Sequence, residues 1–236
     1  MACQAGCDKH VHSMPALVRY FQNRAHERNA HGVVGAFGPP GSGKSEVMLR
    51  FLSECQGRPM DISSQVAFRP KDVAPLAFAL PRFSSIQDDE ATGKGGHKRG
   101  SMTTDNVDSV QDFDAMRGRN QYVGLCAPRK DDVDSIKRGH LMWAFELTMN
   151  HRLTAFEKRI SSAMWGAEPY WDERFHIEKV TALQEIQPFG AKLREDYLAA
   201  KEVHMRGGST DEAFKSRQRL DHFESVARQV LRQLRD

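Results

Sequence analysis

The residues Gly38-Pro39-Pro40-Gly41-Ser42-Gly43-Lys44-Ser45 constrain this chain more than any other stretch. They satisfy the spacing G-x-x-x-x-G-K-[ST], a loop built to hold phosphate. Glycines let consecutive backbone N–H groups turn towards one anion, the lysine neutralises phosphate charge, and the final hydroxyl suits Mg2+. The flanks agree with this reading. GVVGAF (32–37) is a continuous apolar run of the kind found in a parallel strand buried on both faces. From Ser45 to Glu54, Val47, Met48, Leu49, Phe51 and Leu52 mark a helix whose amino end would add its dipole to the anion site. Gly38, Pro39, Pro40, Gly41, Ser42, Gly43, Lys44, Ser45 and the adjoining Glu46 are the candidate nucleotide-binding residues.

Length and composition narrow the setting. At roughly 100 to 200 residues per domain, 236 residues hold one medium domain with an appendage or two small ones. The 34 basic and 31 acidic side chains leave a net charge of +3, too near neutral to name a partner. With 39% hydrophobic and 28% charged residues the chain can bury an ordinary core. No apolar run approaches the 18 or so residues of a membrane span, so no membrane insertion is expected. The opening MACQAGCDKH lacks a signal-peptide core. Cys3, Cys7, Cys55 and Cys126 are then expected as reduced thiols of a cytoplasmic protein.

Further along, residues 14–31 carry Leu17, Val18, Tyr20, Phe21 and Ala25 at helical spacing. MDISSQVAF (60–68) is predicted as a strand, 70–80 as a short helix or extended connection, and 83–87 as a strand. The glycine-rich segment 91–104 reads as a loop, 105–117 as a helix, and YVGLCA (122–127) and 141–149 as strands. Residues 152–187 mix short strands and turns. A helix is predicted over 193–203, and Ser209 with Glu212 forms a capping box for a last helix bearing six basic residues.

The strand at 83–87 runs into Asp88-Asp89-Glu90. An acidic pair at a strand end, some forty residues after a phosphate loop, suits metal binding and activation of water. With the phosphate loop, this pattern resembles the P-loop nucleoside triphosphatases. That resemblance implies an α/β fold: a three-layer core with a mainly parallel sheet, plus C-terminal helices. It divides the chain into an N-terminal leader and helix (1–30), an ATPase core (31–190) and a C-terminal helical appendage (191–236). Aligned on Asp-Glu, Asp89 is the metal-linked residue and Glu90 the base, with Asp88 a second candidate for the metal beside Ser45.

The order DDEATGKGGHKRGSMTTDN, DAMRGRN, QYVGLCAP is similar to that of the small additional-strand catalytic-glutamate ATPases of viruses and plasmids, archaeal ones especially. This resemblance implies ATP and Mg2+ as cofactors, Asn120 or Gln121 as a sensor of the γ-phosphate, and Arg117 or Arg119 as an arginine finger across a subunit boundary. It further implies a homo-oligomer, a ring among its forms, and hydrolysis coupled to handling of DNA. A small P-loop kinase is the alternative, although Asp-Asp-Glu at a strand end favours water as acceptor. A GTP-binding switch fits less well, because Arg129 precedes Lys130-Asp131-Asp132 where an amide or hydroxyl is needed and no Asp-x-x-Gly accompanies the acidic strand.

Two smaller groups complete the reading. Cys3, Cys7, His10 and His12 are zinc-type ligands, but their spacing is tighter than common structural zinc modules use, so a frayed terminus is expected. Lys94, His97, Lys98 and Arg99 form a basic loop suited to phosphates of DNA or nucleotide.

Overall fold

A computed structural model describes residues 13–27, 32–69, 72–89, 119–133, 135–159 and 170–206. The expectations for Cys3, Cys7, His10, His12, Glu90, the basic loop, the 105–117 helix with Arg117, and the helix after Ser209 lie outside these residues.

The chain enters through α1 (Met14–Glu27) and β1 (Gly32–Phe37), and the glycine-rich loop 38–43 then leads into α2 (Lys44–Gln56). There follow α3 (Ile62–Gln65), β2 (Val66–Ala67), α4 (Val73–Ala79), β3 (Ser85–Asp88) and β4 (Tyr122–Ala127). The remainder is α5 (Ser135–His140), β5 (Trp143–Leu147), β6 (Leu153–Arg159), β7 (Tyr170–Ile177) and α6 (Gly190–Met205). The strands form one seven-stranded sheet in the order β2-β3-β4-β1-β5-β6-β7. Pairing is parallel from β2 through β5 and antiparallel where β6 and β7 extend the sheet. The fold is therefore α/β with a mixed, mostly parallel sheet.

Alternation of side chains along the strands divides the core. On one face Val34, Ala36, Tyr122, Cys126, Trp143 and Phe145 pack against α1, α2 and α6. On the other Val33, Ile86, Val123, Leu125 and Ala144 pack with Val73 and Ala77 of α4. Leu17 and Phe21 of α1, and Leu193, Tyr197 and Ala200 of α6, belong to the same buried cluster as the central strands. Both helices, which adjoin the expected boundaries near 30 and 190, thus contribute to this core.

Where a strand is expected over 60–68, only Val66 and Ala67 are in the sheet. Asp61 diverts the rest. Its carboxylate accepts from the Ser63 backbone N–H at 3.0 Å and from the hydroxyls of Ser63 and Ser64 at 2.7 and 2.8 Å, capping the helical turn of α3. The short strands expected within 152–187 include β6 and β7, which pair antiparallel. No helix among the described residues is long and apolar enough to cross a membrane.

Trp143 is wholly buried where α1 meets the sheet, with the rings of Tyr20 and Phe175 at 5.6 and 5.7 Å. Trp143→Ala removes the largest side chain of this cluster and is expected to lower stability by about 3–5 kcal/mol. Urea unfolding checks this, with a lower midpoint and an unchanged slope.

Candidate nucleotide site

The loop after β1 is a tight turn held by backbone bonds and glycine conformations. The Gly38 N–H donates to the Pro128 carbonyl at 3.1 Å, tying the loop to the chain leaving β4. A Cβ at Gly38 would lie 2.3 Å from the Leu147 carbonyl oxygen, so no larger residue fits there. Gly43, the residue before α2, has φ 83° and ψ 16°, a left-handed conformation natural to glycine. Between them the Ser42 N–H donates to the Pro39 carbonyl at 3.2 Å, and the Lys44 ammonium folds onto that carbonyl at 2.8 Å. Burial pushes the Lys44 ammonium below the usual lysine range; Lys201 adds to this, while Asp89 and Cys126 oppose it.

The sheet brings the acidic residues to the same end. Phe37 of β1 aligns with Ala127 of β4, and Leu125 of β4 aligns with Asp88 of β3, all in parallel. The loop after β1 and the acidic residues after β3 consequently share one edge, with β4 between them. The two aspartates then separate. Asp88 shares the side of Ile86, facing the α4 layer, and its Oδ2 accepts from Lys137 Nζ at 3.1 Å, with both side chains at most 2% exposed. Asp89 lies towards α2, because Gln87 Nε2 donates to its Oδ1 at 2.9 Å and Gln87 alternates with Ser85, whose hydroxyl reaches the α2 carbonyl of Leu52. Asp88, a second candidate for the metal, is thus turned away from Ser45, whereas Asp89 stands on the lysine side of the sheet.

Helix α6 adds three residues that no motif announces. Arg194, Tyr197 and Lys201 follow one another at the i, i+3, i+7 spacing of a single helix face. Arg194 Nε meets Glu46 Oε1 at 2.9 Å. The Tyr197 hydroxyl donates to Asp89 Oδ2 at 2.8 Å. Lys201 Nζ donates to the same Asp89 oxygen at 2.8 Å and to the Tyr197 hydroxyl at 2.8 Å. Burial, reinforced by Asp89, raises the Tyr197 phenol well above its usual range, so it remains a neutral donor. Phe68 stacks on Tyr197 with ring centroids 6.0 Å apart and holds the ring in place. The available signal was polar residues set into the apolar stripe of a helix.

Other expected residues fall elsewhere. Asn120 precedes β4, at the strand's amino end, and six residues at about 3.3 Å each put it roughly 20 Å from the loop after β1. Within its own subunit it does not reach that loop, and Gln121 beside it directs its amide to the Ala77 carbonyl at 2.8 Å. Arg119 lies at that same far end, bonded to the Leu80 carbonyl at 2.5 Å and set over the Phe78 ring. The carboxyl end of β4 instead presents Cys126, a buried thiol pushed up by burial and by the nearby Asp89 and Asp88.

The Asp88–Lys137 pair generates a test. Lys137→Met leaves a buried carboxylate without its counter-ion and is expected to destabilise the protein by about 3–5 kcal/mol. Pairing it with Asp88→Asn removes the stranded charge and restores most of that loss in urea unfolding. No protein-family model, curated protein or solved structure matches this chain.

Proposed function

We propose that this protein binds ATP with Mg2+ at the β1–α2 loop and hydrolyses it. One observation carries the reading. Lys44 and Ser45 at the start of α2 and Asp89, which directly follows β3, stand at one edge of the sheet on its α2 side, where Tyr197 and Lys201 of α6 hold Asp89. The position of β4 between β1 and β3 supports it, since an additional strand separates the phosphate loop from the acidic strand.

The residues present fit the ligand. Mg2+ is commonly held by one or two protein oxygens together with phosphate oxygens and water, and the Ser45 hydroxyl and Asp89 carboxylate supply oxygens of that kind. When bound, the ion would offset the charge of the phosphates. The loop N–H groups and the α2 amino end hold the phosphates, while Lys44 contributes a cation already depressed by burial and so favoured by a neighbouring anion. Glu90 directly follows Asp89 and is assigned to orient and deprotonate the attacking water. Coupling to DNA, and assembly into an oligomer with Arg117 or Arg119 acting between subunits, rest on the family resemblance alone.

Phosphate release from ATP and Mg2+ with no other acceptor tests hydrolysis against a kinase reaction, and its rise on adding DNA tests the coupling. Lys44→Ala is expected to abolish binding of a fluorescent ATP analogue. Glu90→Gln should retain that binding while turnover falls by about 10²–10⁴-fold, the range for losing a general base. Full turnover in Glu90→Gln, with arrest in Asp89→Asn alone, would move the base to Asp89.

A further inference from the structure

The α6 face described above meets the phosphate site through the groups assigned to Mg2+. Asp89 is 2% exposed at its side chain, and its Oδ2 takes two donors from α6, the Tyr197 hydroxyl and the Lys201 ammonium, each at 2.8 Å. One turn before Tyr197 on α6, Arg194 engages Glu46, the residue after Ser45. Three positions of one helix thus close over the first turn of α2 and the end of β3. The ammonium sits against the oxygen that would face the metal, close enough to Lys44 for the two to repel.

We infer that α6 is a cation-bearing latch: Lys201 serves as the counter-ion of Asp89 and is exchanged for Mg2+ when nucleotide binds. This deepens the proposed function and rests on it. Two cations compete for one carboxylate oxygen, and the ion must displace the ammonium to be linked to that oxygen. Docking of α6 and binding of Mg2+–ATP are then opposed, and each weakens the other by the same factor. Lys201 is suited to leaving. Its side chain is 41% exposed, so its charge can return to water, whereas Lys137 on Asp88 is 2% exposed and fixed. Tyr197 stays protonated and can keep or give up its bond without a change of charge.

The test is binding of a fluorescent ATP analogue as a function of Mg2+ concentration, independent of turnover. Lys201→Met keeps the aliphatic stem and removes the competing charge, so half-saturating Mg2+ is expected to fall about 5-fold or more, the lower end of ordinary coupling between sites. Lys201→Arg retains a cation and should stay close to wild type. In the wild-type protein, hydrogen exchange over 194–205 should rise with Mg2+–ATP and not with ATP and a chelator. An unchanged or higher Mg2+ requirement in Lys201→Met, with exchange in α6 unchanged or slowed by Mg2+–ATP, would overturn the latch and leave ATP binding standing. Failure of the wild-type protein to bind the analogue at any Mg2+ concentration would remove the nucleotide reading and the latch with it.

Discussion

The parallel insertion of β4 between β1 and β3 governs the arrangement of this protein. Phe37 aligns with Ala127, and Asp88 with Leu125, so the segments leaving β1, β4 and β3 emerge on one edge of the sheet. Parallel strands return to the same edge only through crossovers, and here helices cover both faces. The Gly38 N–H on the Pro128 carbonyl fastens two of the emerging segments together. The loop after β1, the acidic residues and Cys126 meet there because strand direction and register leave them no other place.

That register also sets the roles of the two adjacent aspartates. Neighbouring residues at a strand end point to opposite sides, so one carboxylate goes to each layer of helices. Each is buried and each has its own counter-ion, Lys137 from α5 for Asp88 and Lys201 from α6 for Asp89. Splitting them avoids two like charges in one site, which would hold one carboxyl in its neutral form. It also leaves Asp89, and not Asp88, on the side where Lys44 and Ser45 stand.

The sequence was most legible where structure is decided locally. The turn after β1 carries its own glycines, and β1, α2 and β4 follow from short apolar runs with clear punctuation, so their extents are legible nearly to the residue. It was least legible where a distant partner decides. Asn120 looked like a sensor because it borders an apolar strand, but which end of that strand faces the loop depends on pairing with β1. The segment 60–68 alternates well enough for a strand, yet Asp61 captures its neighbours through side-chain bonds that periodicity does not register. Helix α6 was found as a helix, while its role at the site depends on Tyr197 and Lys201 crossing more than a hundred positions of sequence to reach Asp89.

The contrast between the two counter-ions follows from solvation. An ammonium taken fully out of water gives up hydration that only a good partner restores, so the Lys137–Asp88 pair is costly to break. Lys201 keeps much of its exposure and remains hydrated while it holds Asp89, so separation costs less. Asp89, with its side chain almost entirely buried, still needs a positive partner in any state of the protein. On the proposed reading, the requirement is met by the helix in the absence of nucleotide and by the metal in its presence. The site is thereby kept electrostatically satisfied in both states, and α6 is coupled to its occupancy through a single carboxylate.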